Sequence, residues 1–298
     1  MTERTTQLKI AIASGKGGTG KTFVSTNMFR SLQQYGSNVV LVDCDAEAPN
    51  SVAFFQAKEV ARQVVKQLVP VIDTKACTFC GRCHDWCSYN AIFILPPAKV
   101  IQVIDDLCHG CGACSVACKA NAISEKPVSL GEVASYTTDE GYQIIEANMA
   151  VGVMSPVSLI KAAIANIPAE ADLAILDSPP GTSCPFVQTA SAADYVVLVT
   201  EPTPFGLSDL KQSVNTLKEI GKPFGVIVNR AGLGNRDIYT YLKEEKIELL
   251  LEIPYDAHIA EVYSRGELIV NTMPNIGMQL NNVVTKIIRK HGSSGNKR

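Results

Sequence analysis

Between an apolar run, Leu8–Ala13, and an amphipathic stretch opening at Thr22 lies Gly15-Lys16-Gly17-Gly18-Thr19-Gly20-Lys21-Thr22, a G-x-x-x-x-G-K-[ST] loop. Such a loop needs a strand ending in it and a helix starting from it. Its backbone N–H groups must close around phosphate oxygens without β-carbons in the way, and the helix N-terminus adds positive potential. The strand–loop–helix unit commits the chain to an α/β architecture. Lys21 is expected to reach the β- and γ-phosphates, and Thr22 to offer its hydroxyl to Mg²⁺.

The rest of the chain keeps this pattern. Short β-branched runs predict strands near Leu8–Ala13, Val39–Val42, Leu173–Leu176, Tyr195–Thr200, Phe224–Val228 and Glu248–Ile253. Between them, 3.6-residue periodicity predicts helices near Thr22–Tyr35, Ser158–Asn166, Leu207–Ile220, Arg236–Lys246, Ala257–Arg265 and Ile276–Lys290. Alternation of this kind implies a mostly parallel sheet with helices on both faces. It is interrupted once, from about Pro70 to Lys126, by a segment dense in Cys and Gly. The expected organisation is a first ATPase part at 1–69, an insertion at 70–126 and a second ATPase part at 127–298.

The insertion repeats itself. Cys77-Thr-Phe-Cys80-Gly-Arg-Cys83-His-Asp-Trp-Cys87 is followed 31 residues later by Cys108-His-Gly-Cys111-Gly-Ala-Cys114-Ser-Val-Ala-Cys118, and both halves continue to Asn-Ala-Ile. Two equivalent halves imply a pseudo-two-fold module. Each half reads C-x₂-C-x₂-C-x₃-C, the spacing of bacterial ferredoxins, in which the fourth cysteine ligates the other half's 4Fe–4S cluster. By that resemblance Cys77, Cys80, Cys83 and Cys118 hold one cluster, and Cys108, Cys111, Cys114 and Cys87 the other. Zinc sites more often pair two C-x₂-C couples. One departure is the residue after each fourth cysteine: Ser88 and Lys119 stand where proline is usual. His84 and His109 fall outside both ligand sets.

The loop and its surroundings resemble the MinD/ParA superfamily, which includes the nitrogenase iron protein and the Nbp35/ApbC-type ATPases. Lys16 in GKGGTGKT matches the early lysine of the deviant Walker A, which reaches the partner subunit's nucleotide. The resemblance therefore implies an ATP-dependent dimer, of identical subunits or with a paralogue. Val42-Asp43-Cys44-Asp45 resembles the first switch, and Leu176-Asp177-Ser178-Pro179-Pro180-Gly181 the Walker B strand and second switch. By that match Asp45 positions the attacking water and Asp177 holds the Mg²⁺ shell, with plain structural capping the alternative for each. Asn229-Arg230 is similar to the family's adenine-contacting pair, and Asp209 to a position that responds to nucleotide state. Lys16, Lys21 and Asp45 are thus the catalytic candidates. Cys184 occupies the place of a bridging-cluster cysteine in the iron protein, but without a second match it is expected as a small packed thiol. Cys44 is expected in the core.

A net charge of −2, from 27 Lys+Arg against 29 Asp+Glu, leaves no footprint for nucleic acid. Neither a signal peptide nor a membrane-length apolar run is present, and cysteines crowded into one block favour metal ligation in a reducing cytoplasm. The C-terminal helix has one apolar face (Ile276, Leu280, Val283, Val284, Ile287, Ile288), expected to dock on the ATPase core rather than enter a membrane. The leading expectation is an ATPase that couples nucleotide-driven dimer rearrangement to electron transfer through two 4Fe–4S clusters, serving a redox partner. The alternatives are a cluster-assembly carrier serving an apo-acceptor, and a redox-sensing positioning or partitioning protein.

Overall fold

The computed structural model describes residues 7–291. Eleven strands and nine α-helices follow one another: β1 (Leu8–Ala13), α1 (Lys21–Gln34), β2 (Val39–Asp43), β3 (Ala57–Ile72), α2 (Arg82–Asp85), β4 (Ile92–Leu95), β5 (Val100–Val103), α3 (Ala113–Ala117), β6 (Ile123–Thr138), β7 (Gln143–Met149), α4 (Val157–Ala165), β8 (Leu173–Asp177), α5 (Cys184–Ala192), β9 (Tyr195–Thr200), α6 (Pro204–Glu219), β10 (Phe224–Ala231), α7 (Asp237–Glu244), β11 (Leu249–Pro254), α8 (Ala257–Ser264) and α9 (Pro274–His291). Nine strands form one sheet in the order β11-β10-β9-β1-β8-β2-β7-β6-β3. Only β6 runs against its neighbours. The expected α/β class, a mostly parallel sheet with helices, is what the chain adopts.

Two cores sandwich the sheet. On one face, Leu159, Ile160, Phe186, Leu210, Val214 and Leu242 of α4–α7 pack on alternate residues of the central strands. On the other, Phe23, Met28 and Phe29 of α1 pack with Val262 of α8 and Leu280, Val284 and Ile287 of α9. Central strands such as β2 and β8 are buried at every position, the continuous apolar signature of parallel strands covered on both sides. The apolar face of α9 is thus spent on the sheet, each large side chain contributing about 1.5–3 kcal/mol by burial. Ile288 is the exception and stays half exposed. Among the described residues no helix is long and apolar enough to cross a membrane.

Helix α6 starts earlier than expected, at Pro204, because Thr203 caps it by accepting the Gly206 N–H at 3.0 Å. Three sheet strands were not expected. β3 and β6 pair from Ala57↔Thr138 to Ile72↔Ile123, with register shifts between Glu59 and Ala61 and between Val65 and Lys66, and carry the cysteine block at their far end. As a ribbon it leaves β3 exposed along most of its length, so neither strand shows a clean apolar alternation. β7 joins the ribbon to β2. Inside the block a further hairpin forms from β4 and β5.

Candidate functional site

The phosphate loop lies where the fold requires it, at the C-terminal end of β1 in the middle of the sheet. Its helix, α1, begins at Gly20 with no side-chain cap and no acidic residue in the first turn, so its N–H groups remain for an anion. Two glycines are dictated by neighbours. A β-carbon at Gly15 would lie 2.4 Å from the Asp209 carbonyl oxygen, so only glycine lets α6 seat on the loop. Gly20 combines φ 97° with Asn229 Nδ2 only 2.3 Å from where its β-carbon would be.

A cavity of about 440 Å³ opens from the loop, lined by Gly17, Gly18, Gly20, Lys21 and Thr22 and also by Asn229, Arg230, Tyr255 and Ile259. Asp45 borders it too. Residues placed far apart in the sequence thus converge on one space. Asn229 is mostly buried, and its amide donates to the Thr19 carbonyl at 2.9 Å while its Oδ1 accepts the Arg230 N–H at 2.9 Å. It therefore braces the phosphate loop as well as walling the cavity. The wall of Tyr255, Asp256 and Ile259, formed where β11 runs into α8, escaped the sequence reading because it carries no motif.

Three aspartates surround Lys21. Burial lowers the Lys21 pKa, against the upward pull of Asp177, Asp45 and Asp43. Burial, then the charge of Asp43, pushes Asp45 up to about 6. Asp43 and Asp177 sit side by side in register on β2 and β8, fully buried; desolvation raises both, and the charge of Asp43 raises Asp177 further. Asp43 had no role in the sequence reading, yet it organises the loop after β2: its carboxylate accepts the N–H groups of Asp45 (3.0 Å), Asn50 (3.0 Å) and Ser51 (2.9 Å). Asp177 accepts the Ser51 hydroxyl on Oδ2 at 3.3 Å, while its buried Oδ1 has no hydrogen-bond partner among the described residues. Thr22 and Ser25 offer hydroxyls beside it. An orphaned carboxylate oxygen next to a hydroxyl is a fitting donor set for Mg²⁺.

Lys16 does not point into this cavity. Its ammonium lies 2.9 Å from Glu201, which also takes Arg230 at 2.8 Å. Asp209 meets the loop through its backbone.

At the far end of the ribbon, Cys77, Cys80, Cys83 and Cys118 line one small cavity and Cys87, Cys108, Cys111 and Cys114 another. Their backbones repeat. Phe79 and Gly110 N–H groups donate to Cys77 and Cys108 Sγ, both at 3.4 Å; Ala91 and Ala122 donate to Cys87 and Cys118 Sγ, both at 3.3 Å. Left-handed residues recur with the same 31-residue offset at Phe79/Gly110, Gly81/Gly112 and Asn90/Asn121. The N–H···S donors suit thiolate ligands of a cluster. Among the described residues no three His, Cys, Asp or Glu side chains converge on a point for a single metal ion. His84 binds the Ile92 carbonyl at 2.7 Å, and His109 stacks on Tyr89 at 3.8 Å between ring centroids.

The expectation for Cys184 is corrected: it is exposed, not packed. It occupies the first turn of α5, where Phe186 takes the inward position. Cys44 is fully buried beside Thr189, and desolvation drives its thiol pKa far up.

Residues 10–269 match the CobQ/CobB/MinD/ParA nucleotide binding domain. The chain belongs to that family. An uncharacterized protein of Methanocaldococcus jannaschii is 29% identical over 262 residues, 87% of this chain and 90% of the relative. An iron-sulfur cluster carrier protein of the same organism is 23% identical, spanning 95% of this chain and 84% of its own length. Among solved structures, the septum site-determining protein MinD of Pyrococcus horikoshii, complexed with Mg-ADP, aligns with a TM-score of 0.57 at 22% identity, covering 94% of this chain and 97% of MinD. MinD in the MinC:MinD complex of Aquifex aeolicus gives 0.56 at 18% identity, covering 94% and 95%. This MinD/ParA-type fold places the phosphate loop, Asp45, Asp177 and the cavity wall at the C-terminal ends of the parallel strands.

Proposed function

We propose that the chain is an ATPase, hydrolysing ATP to ADP and phosphate, that couples nucleotide-driven dimer rearrangement to electron transfer through two 4Fe–4S clusters. The observation that carries the reading is the pairing of an uncapped phosphate-loop helix with two four-cysteine cavities on one continuous ribbon. Residues 70–126 are the cluster-holding module, set between ATPase parts 1–69 and 127–298. We place the chain in the cytoplasm, where thiols stay reduced, and assign it neither nucleic acid nor stable membrane insertion as partner.

In this reading Gly15 to Thr22 cradle the triphosphate, Lys21 neutralises the β- and γ-oxygens, and Asn229 and Arg230 border the base. Thr22 and Asp177 would hold Mg²⁺, which when bound spreads the charge of the phosphates. Asp45, near neutrality in its pKa, orients the attacking water and takes its proton. Lys16, once released from Glu201, serves the nucleotide of the partner subunit in a homodimer or a paralogous heterodimer. Cys77, Cys80, Cys83 and Cys118 would hold one cluster and Cys108, Cys111, Cys114 and Cys87 the other. When bound, the clusters supply one-electron chemistry, and the N–H groups of Phe79, Ala91, Gly110 and Ala122 tune it.

A second reading, a carrier passing clusters to an acceptor, is favoured by the relatives named iron-sulfur cluster carrier protein in Aquifex aeolicus and M. jannaschii, at 24% and 23% identity. Anaerobic iron and sulfide analysis, with low-temperature EPR of the reduced protein in Mg-ATP and Mg-ADP, tests both. Two retained 4Fe–4S signals that respond to nucleotide support electron transfer; loss of cluster to an apo-acceptor supports the carrier. Zinc at about one ion per four cysteines overturns either.

A further inference from the structure

Three carboxylates stand in one row across the sheet. Asp43 is in register with Asp177 of β8 on one side and with Glu146 of β7 on the other. The row continues through Ala134 of β6 to Arg62 of β3. Neighbours in register share a face of the sheet, so these side chains stand on the side covered by α1.

The two ends of the row belong to different machinery. Asp43 carries the switch loop on three N–H groups, and with it Asp45 at the mouth of the nucleotide cavity. Arg62 ties the ribbon together: Nε and Nη2 reach Glu59 of its own strand at 2.8 and 2.6 Å, and Nη1 reaches Glu132 of β6. From there the same two strands run to Ile72 and Ile123, which pack against Cys83, Ile92 and Cys114 in the core of the cysteine module. Glu146 lies between, half-buried, and only the methyl of Ala134 separates it from Arg62 in the row.

Glu146 responds to both ends. Burial, then the Asp43 charge, pushes its pKa up to about 7, while Arg62 pulls it down and Glu59 opposes that pull. Tyr136, at the next position of this face on β6, is in turn raised by burial and by Glu146. The charge at Glu146 therefore depends on what Asp43 faces, and Arg62, bonded here to Glu59 and Glu132, acts on Glu146 through its charge. A coupling element needs a second discrete arrangement, which for Arg62 would be transfer from Glu59 and Glu132 to Glu146.

We propose that Glu146 is a positioning residue that joins the nucleotide site to the cysteine module, passing rearrangement of the Asp43 loop to Arg62 and so to the β3–β6 ribbon. The inference rests on the ATPase reading of the site and adds a route to it. It contacts neither the nucleotide cavity nor the cysteines, so its role is separable from both.

Hydrogen exchange on the full-length protein, held anaerobically with and without Mg-ATPγS, tests it, with nucleotide affinity measured in parallel. In the unmodified protein, exchange in peptides from 57–72 and 123–138 changes on nucleotide binding by about threefold or more. In Glu146→Gln, which keeps shape and loses charge, that change disappears while nucleotide affinity stays within about twofold. Glu146→Asp, keeping the charge, restores part of it, and Ala134→Leu, placing bulk between Glu146 and Arg62, removes it again. A ribbon that responds equally in Glu146→Gln, or does not respond at all in an unmodified protein that binds nucleotide, overturns the inference. Failure to bind nucleotide in the unmodified protein overturns the ATPase reading itself.

Discussion

The Lys16 ammonium is held 2.9 Å from Glu201 within its own chain, and the same carboxylate takes Arg230 from the lining of the cavity. Glu201 is mostly shielded, its side chain 13% exposed, so the pair is firmer than an open surface bridge. A lysine destined for a partner's phosphate must first leave this carboxylate. Breaking the contact by Glu201→Gln should favour the ATP-bound dimer by about 1 kcal/mol, a factor of about five in the dimerisation constant. Light scattering across an ATPγS titration measures it. An unchanged or weakened dimer would show that Glu201 does not compete for Lys16.

Asp45 borders the cavity with its pKa raised, while Asp177 carries the orphan oxygen suited to Mg²⁺. The two should therefore fail differently. Asp45→Asn should bind Mg-ATP as the parent does and lose turnover by about 100-fold or more, the usual weight of a positioned base. Asp177→Asn should lose the Mg²⁺ dependence of nucleotide binding. Equilibrium binding with and without Mg²⁺, beside phosphate release, separates the roles; equal loss of affinity in both variants would refute the division.

The phosphate loop and the doubled cysteine runs were legible because each is a local pattern whose chemistry fixes its spacing, and the central strands because burial on both faces makes them continuously apolar. β3 and β6 were not, since a two-stranded ribbon exposed along most of β3 needs no alternation to stay folded. Cys184 was misread through the tendency of free thiols to be buried, which the exposed first turn of a helix overrides. The parts of the site made by pairing across the sheet were beyond sequence reasoning. Asp43 beside Glu146, and Glu201 between Lys16 and Arg230, become neighbours only when strands distant in the chain are brought into register.

The cysteine cavities cross over between halves: Cys118 completes the set begun by Cys77, and Cys87 the set begun by Cys108. Under the two-cluster reading the reconstituted protein should carry about eight irons and eight sulfides. Cys87→Ser should then disturb the cluster of the second run and leave the first intact, while Cys118→Ser does the reverse. Iron content falling towards four, together with EPR that loses the spin coupling between clusters, checks this. Identical spectra from the two variants would contradict the crossed ligand sets.

Glu146 also predicts a pH dependence of stability. Its pKa is pushed up to about 7 in the folded chain, whereas unfolding returns it to the ordinary carboxylate range. Between those values the native state holds a proton that the unfolded chain has released, so stability from this group falls as pH rises through the window and is constant above about 7. Below the ordinary range both states are protonated and the group is silent. Glu146→Gln carries no proton to lose, so its urea midpoint relative to the parent should climb between pH 5 and pH 7.5 and then level; the loss of the Glu146 charge also eases the ionisation of its neighbour Asp43, which moves the difference the same way. Anaerobic urea titrations at a series of pH values measure that difference directly. Parallel midpoints across the range would mean that Glu146 is as well solvated in the folded chain as in the unfolded one, and that it senses neither Asp43 nor Arg62.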